Sequence, residues 1–168
     1  MTFGKLKYVL DSDTFIRANR IYYPFDFAKP FWNGLIKYAE DGIICSIDKV
    51  FNELKIGDDE LSEWSISKFK PYFVTTESNE IITIYQSIIG WVQQQDQFYQ
   101  NAKDEFFEID NADSWLISFA LRNNLTIVTH EIYNPDIKKK VPIPNVCKAF
   151  NISYIEVFQM LRDLRFKF

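Results

Sequence analysis

Short apolar runs that alternate with helical patterns are the feature that most constrains the fold of this chain. The runs at residues 6–10, 43–47 and 125–129 (LKYVL, IICSI and LTIVT) have the length and composition of buried strands. Between them, apolar residues recur every three to four positions, as on the inner face of a helix. The clearest such stripe consists of Ile81, Ile84, Tyr85, Ile88, Trp91 and Val92. This alternation predicts an α/β fold with a mostly parallel central sheet that helices cover on both faces.

Polar residues and glycine mark where the predicted helices begin and end. Asp48, Asp58 and Asp110 each precede a helical pattern, where a carboxylate can accept a hydrogen bond from a free backbone amide. Gly42 follows a helical pattern and predicts its C-terminal end. Residues 131–140 show neither periodicity, and we expect them to form a surface loop.

Length and cysteine content narrow the class of protein. The 168 residues predict one domain over residues 1–168, since domains of ~100–200 residues are typical. No uncharged apolar run approaches the ~20 residues that cross a bilayer, and no apolar stretch follows Lys5 and Lys7, so neither membrane insertion nor secretion is expected. The two cysteines, Cys45 and Cys147, cannot form a disulfide framework and fit the reducing cytoplasm.

The net charge and the aromatic content limit the kinds of molecule that this chain is expected to bind. A net charge of −4 excludes a globally basic nucleic-acid-binding protein, so any such contact must come from a local patch. Aromatic residues make up 17% of the chain. They indicate a bulky core in the first place, and a surface on which exposed bases stack as the alternative.

Four acidic residues occupy positions that should meet at one edge of the sheet. Asp11 directly follows the first predicted strand, and Glu131 comes two residues after the third. Glu53 lies about one turn into the helix after the second strand, and Asp113 lies in the first turn of a later helix. Clustered carboxylates repel one another unless a cation intervenes, and hard oxygen ligands select Mg²⁺ or Mn²⁺. The pattern therefore predicts metal-assisted hydrolysis of a nucleic-acid backbone.

Each acid also has a purely structural explanation. Asp11 can end a strand in an Asx turn, and Glu53 can be a solvated helix residue. Asp110 and Asp113 have the spacing of a helix cap and its reciprocal partner, and Glu131 can be loop surface. The joint placement of the four acids, rather than any one of them, supports the metal site.

The segment Asp11-Ser12-Asp13-Thr14 also suggests a different enzyme. Haloacid dehalogenase-like phosphatases carry two aspartates one residue apart after a first apolar strand, the first as phosphoryl acceptor and the second as acid and base. Here the fifth position is Phe15, where that motif has Thr or Val, and no paired acids follow a later strand. The phosphatase is kept as an alternative that uses Asp11 and Asp13.

Four segments, taken together, resemble PIN-domain proteins. They are YVLDSDTFI (8–16), ICSIDKVFNEL (44–54), NADSWLISFA (111–120) and TIVTHE (126–131). More narrowly, YYPFDFAKPFW (22–32) and PIPNVC (142–147) resemble the DUF4411 family of bacterial PIN-like proteins. The resemblance spans nearly the whole chain and implies a three-layer α/β/α PIN-like fold.

The resemblance also implies a function. PIN-like proteins are most often metal-dependent ribonucleases, and many are the toxin of a type II toxin–antitoxin pair. By this likeness Asp11, Glu53 and Asp113 would hold Mg²⁺ or Mn²⁺, and Glu131 would be the fourth acid. Thr129 would brace the cluster through a hydrogen bond. An RNA substrate, a cognate antitoxin and a possible homodimer are the implied partners.

Several residues near the four acids have more than one plausible role. Asp13 stands where many PIN domains have Asn, Ser or Thr, and would orient Asp11. Glu131 stands where Asp is commoner, and His130 where Arg is often found. Substrate contacts are expected from His130, from Arg17 and from the run Lys138, Lys139 and Lys140, with packing or ordinary solvated charge as the alternatives. A non-catalytic binding module that keeps the scaffold is the rival hypothesis.

Overall fold

The computed structural model describes residues 5–168, so the first four residues of the expected domain lie outside the described part. All the strands in this part form one sheet, in the order β3–β2–β1–β4–β5, and all neighbouring strands are parallel. The strands are β1 (Tyr8–Leu10), β2 (Ile44–Ile47), β3 (Phe73–Val74), β4 (Thr126–Val128) and β5 (Tyr154–Ile155). The α/β fold with a parallel central sheet is thereby confirmed.

Helices flank this sheet and complete the three-layer α/β/α arrangement. In chain order they are α1 (Ser12–Arg17), α2 (Lys29–Glu40), α3 (Asp48–Ile56), α4 (Glu60–Trp64), α5 (Asn79–Gln93), α6 (Gln100–Phe107), α7 (Ala112–Asn123), α8 (Ile143–Phe150) and α9 (Val157–Asp163). A π-helical turn, Ala18–Tyr22, continues α1, and Ser65–Phe69 likewise continues α4. None of the helices within residues 5–168 is long and apolar enough to cross a membrane.

The strand order places a switch point between β1 and β4. The chain passes from β1 to β2 and β3 on one side, then crosses to β4 and β5 on the other. Because crossovers between parallel strands are right-handed, connections that run in opposite directions place their helices on opposite faces of the sheet. The loops that leave β1 and β4 therefore diverge at their carboxyl ends and open a crevice there.

Aromatic residues form much of the core, as the first of the two sequence explanations predicts. Phe15, Phe31 and Phe69 are fully buried and Trp32 is 2% exposed. Phe25 stacks on Trp32 with ring centroids 4.1 Å apart, and the Phe69 ring lies edge-on to Phe15 at 5.6 Å. Such pairs add about 0.5–1.5 kcal/mol beyond the area they bury.

The predicted helix starts are displaced by about one residue. Asp59, not Asp58, caps α4, because its carboxylate accepts the backbone N–H of Ser62. Asn111, not Asp110, caps α7. Asp48 lies inside α3 rather than at its cap, and its carboxylate instead accepts hydrogen bonds from the backbone N–H and the hydroxyl of Thr76. In the first two cases a neighbouring polar residue caps the helix through a local hydrogen bond, and in the third a tertiary contact with Thr76 engages the carboxylate.

Candidate active site

Asp11 lies where β1 ends, beside the end of β4. Its backbone N–H donates to the carbonyl of Val128 (3.0 Å), which extends the pairing of the two strands by one residue. The side chain is only 2% exposed. Its two oxygens accept hydrogen bonds from the hydroxyls of Thr129 (2.9 Å) and Ser12 (3.4 Å). Asp11 and Thr129 therefore face each other across the switch point of the sheet, where folds of this kind form their sites.

The electrostatics of the cluster oppose ionisation. Burial raises the pKa of Asp11 to about 7, and the charge of Glu131 is the next largest cause; the hydrogen bond from Thr129 works in the other direction. Burial likewise raises the pKa of Asp113 well above its ordinary value, together with the charges of Asp11 and Glu131. Glu53 contributes to both effects. Asp11 and Asp113 therefore lie close enough to Glu53 and Glu131 for the charges of those two residues to disfavour their ionisation.

Glu53 and Asp113 meet at the first turn of α7. The side-chain oxygen of Asn111 caps this helix by accepting the backbone N–H of Asp113 (2.9 Å). The neighbouring amide, that of Ala112, donates to Oε1 of Glu53 (3.2 Å). Free amides and the positive end of the helix dipole attract carboxylates, which explains why an acid from α3 docks at this helix start.

A cleft of about 330 Å³ opens beside these two acids. Half of the residues that line it are acidic, and the lining includes Glu53, Glu105, Glu108, Asp110, Asp113 and Lys140. Glu105 and Glu108 were not assigned to the site from the sequence, and Asp110 was assigned only to a helix cap. No apolar periodicity marks the end of α6 as part of the same edge, so only the tertiary structure reveals their position.

Glu131 has both carboxylate oxygens engaged. Oε1 accepts a short, charged hydrogen bond from Nζ of Lys140, and Oε2 accepts the backbone N–H of Ile143 (2.7 Å). The backbone N–H of Glu131 donates to the hydroxyl of Thr129 (3.2 Å). Glu131 is therefore linked to Asp11 through Thr129, while its own carboxylate points to the loop that carries Lys140.

The donor set fits a hard divalent cation by its chemistry. Carboxylate oxygens are the ligands that Mg²⁺ and Mn²⁺ prefer, and a cation would favour the charged forms of Asp11 and Asp113, whose pKa values are raised by burial and then by neighbouring charges. As the side chains stand, no three Asp, Glu, His or Cys residues within 5–168 are grouped so that they could hold an ion. Glu53 and Glu131 are each held by a backbone amide. The cluster would therefore have to close around the ion.

The remaining predicted site residues are distributed around this cluster. Asp13 forms an ion pair with Arg17 (3.0 Å) one turn along α1, with both side chains partly exposed. Lys138 and Lys139 are exposed in the loop after Glu131.

His130 is buried rather than exposed. Its ring packs against Tyr22 (5.5 Å between centroids) and Phe158 (6.0 Å). Burial lowers the pKa of its imidazole, and its Nε2 has no hydrogen-bond partner within residues 5–168. These contacts are those of a packing residue next to the site.

Comparisons with known proteins agree with this geometry. The family DUF4411, described as a domain of unknown function, matches residues 8–168. A chain from the crystal structure of VapBC2 from Rickettsia felis, bound to a DNA fragment from their promoter, superposes with a TM-score of 0.53. The superposition covers 90% of this chain and 98% of that chain at 18% identity, a likeness that shows the fold alone. No curated protein matches the chain. The chain belongs to the DUF4411 family and has a PIN-like fold.

Proposed function

We propose that this protein is an Mg²⁺- or Mn²⁺-dependent endoribonuclease, and the toxin of a bacterial type II toxin–antitoxin pair that acts in the cytoplasm. The observation that carries the proposal is the buried carboxylate of Asp11, at the switch point of a PIN-like sheet, in electrostatic contact with Glu53, Asp113 and Glu131. A buried cluster of acids costs folding free energy when it is charged. Its presence is readily explained if the cluster binds a cation.

Each acid has a distinct part in this proposal. Asp11, Glu53 and Asp113 would hold the cation. When bound, the cation would activate the attacking water and offset the negative charge that builds up on the phosphate. Thr129 fixes the orientation of Asp11 by donating to Oδ2, and Ser12 donates to Oδ1. The acidic lining of the cleft would otherwise repel RNA, so the proposal requires that cleavage depend on added metal.

The shape of the surface supports a polymeric substrate. A second cleft, of about 410 Å³, lies at the ends of β4 and β5 and is lined by Thr129, Glu131, Tyr154 and Arg162, among others. An RNA strand that crosses the cluster could therefore be contacted in both clefts. Lys138 and Lys139 in the loop after Glu131 would add phosphate contacts of little sequence specificity.

A protein partner belongs to the same proposal. VapBC2, whose structure shares this fold, is a complex bound to DNA from its own promoter. By analogy, a cognate antitoxin would bind this chain and cover the acidic cleft, and a homodimer is a further possible assembly. Co-expression with the protein encoded by the neighbouring gene, followed by co-purification and a cleavage assay, would test the partnership.

The decisive experiment is a cleavage assay with a matched pair of variants. Purified wild type, Asp11→Asn and Asp58→Asn would be incubated with structured RNA, single-stranded DNA and a chromogenic phosphate ester, each with Mn²⁺ or EDTA. Asp58 is exposed beyond the end of α3 and controls for the loss of one carboxylate. We expect Mn²⁺-dependent RNA cleavage by wild type and Asp58→Asn, and none by Asp11→Asn.

The other outcomes distinguish the alternatives. RNA binding without cleavage under any condition would indicate a non-catalytic module on the PIN scaffold. Hydrolysis of the phosphate ester with a phosphorylated Asp11 would indicate the haloacid dehalogenase-like phosphatase. Full RNA cleavage by Asp11→Asn would remove Asp11 from the mechanism.

A further inference from the structure

We propose that Lys140 supplies one positive charge of the acidic cleft from within the chain, and that it holds Glu131 away from the metal, so that the cleft binds a single divalent cation. This inference rests on the proposed function, because it concerns the same cluster of acids. In this inference the ammonium group of Lys140 occupies the place of a second metal ion, and Glu131 binds Lys140 where it would otherwise bind that ion.

The contacts of Glu131 are the first argument. Both of its carboxylate oxygens already accept hydrogen bonds, one from the ammonium group of Lys140 and one from the backbone N–H of Ile143. Its side chain is 15% exposed, so water replaces these partners poorly. For Glu131 to become a metal ligand, at least one of these bonds would have to break, and a mostly buried carboxylate would lose a partner, although the Lys140 side chain is itself 51% exposed.

The position of Lys140 is the second argument. It lines the same cleft as Glu53 and Asp113, and it is in electrostatic contact with Asp113 and Asp11 as well as with Glu131. A second divalent cation would have to share these carboxylates with the ammonium group and would be repelled by it. The two cations therefore compete for one place in the cleft.

The third argument is that Lys140 differs from its neighbours in the same run. Lys138, Lys139 and Lys140 are consecutive. Of these three lysines, only Lys140 forms an ion pair with another residue of the described range 5–168. Pro142 follows shortly after, and Ile143 begins α8, whose first backbone N–H also binds Glu131. The turn from the loop into α8 thus presents one lysine, rather than the whole run, to the acids. Lys139 is accordingly a matched control that differs in position by a single residue.

The experiment is a titration of the full chain with Mn²⁺. Binding is measured by calorimetry and by the decrease in the electron paramagnetic resonance signal of free Mn²⁺. Wild type, Lys140→Gln and Lys139→Gln would be compared at the same pH and ionic strength. We expect one bound ion per chain for wild type and Lys139→Gln. We expect a second ion in Lys140→Gln, because the freed carboxylate of Glu131 becomes available as a ligand.

A double variant keeps the test independent of the folding of Lys140→Gln. Lys140→Gln combined with Glu131→Gln removes both charges of the pair and leaves no unpaired carboxylate. We expect this double variant to bind one ion, with a Kd within about threefold of wild type. The two substitutions remove one positive and one negative charge that pair with each other, so their effects on metal binding should cancel. A much larger loss of affinity in the double variant would make Glu131 a metal ligand and would overturn the inference.

The remaining outcomes separate this inference from the proposed function. One ion bound by wild type and by Lys140→Gln with equal affinity would overturn the role of Lys140 and leave the metal site intact. Two ions bound by wild type would also overturn it. No Mn²⁺ bound by any of these proteins would overturn the metal site itself, and this inference with it.

Discussion

Replacing Asp11 by Asn should stabilise the metal-free protein, and should do so more strongly at pH 8 than at pH 5. The carboxyl has a pKa of about 7 in the folded protein, raised first by burial and then by Glu131, against an ordinary value of 3.8. Between these two values the folded state binds a proton that the unfolded state does not. Wild type therefore loses stability as the pH rises through this window, and Asn, which does not ionise, avoids the loss.

The size of the effect follows from the two pKa values. At pH 8 the charged carboxyl costs the folded state about 4 kcal/mol, and at pH 5 about 1.5 kcal/mol, since each pH unit within the window counts for about 1.4 kcal/mol. Relative to the neutral carboxyl, the amide changes the hydrogen bonds with Thr129 and Ser12, a cost of about 1 kcal/mol that is the same at both pH values. The stabilisation by Asp11→Asn should therefore be about 2.5 kcal/mol larger at pH 8 than at pH 5, which corresponds to roughly 5–10 °C in melting temperature for a chain of this length.

The measurement is urea or thermal unfolding in EDTA at pH 5 and pH 8, with Asp58→Asn as the control. Asp58 is exposed and lies outside the cluster, so its substitution controls for the loss of one carboxylate. Adding Mn²⁺ at pH 8 should then stabilise wild type and leave Asp11→Asn unchanged, because a ligand that binds only the folded state raises its stability. An equal change for Asp11→Asn at both pH values, or a larger destabilisation at pH 8, would refute the account of a buried, repelled carboxyl.

Two further predictions concern the hydrogen bond from Thr129 to Asp11 and the packing of Phe166, near the C-terminus, against α2. Thr129→Val removes the hydrogen bond that favours the charged form of Asp11, so at pH 7 we expect weaker Mn²⁺ binding by calorimetry, with the loss shrinking as the pH rises. An unchanged affinity at pH 7 would show that Thr129 does not act through Asp11. Gly34→Ala would place a methyl group 2.0 Å from the ring of Phe166, and we expect a loss of about 1–3 kcal/mol in urea unfolding. In contrast, Gly90→Ala meets nothing within 4 Å in α5 and should gain about 0.5–1 kcal/mol, so equal effects of the two substitutions would contradict this packing.

The elements with a strong local pattern were predictable from the sequence. The apolar runs became β1, β2 and β4, although each strand is shorter than its run, and the stripe from Ile81 to Val92 became α5. Other elements were not predicted, among them β3 and α6. The strand β3 has only two residues, and it exists because Phe73 and Val74 pair with Ser46 and Ile47 of β2. The helix α6 has a mixed surface without a clear stripe.

The sequence by itself determined the alternation of strands and helices, and with it the parallel sheet, since burial on both faces requires continuous apolar runs. It also placed Asp11 and Thr129 at strand ends, because a strand stops where polar residues resume. Only the tertiary structure decided which partners the acids have. The ion pair of Glu131 with Lys140 and the contact of Glu53 with the start of α7 depend on where a loop and a helix end lie in space. Periodicity records which face of an element is buried, but not which distant charge lies opposite it.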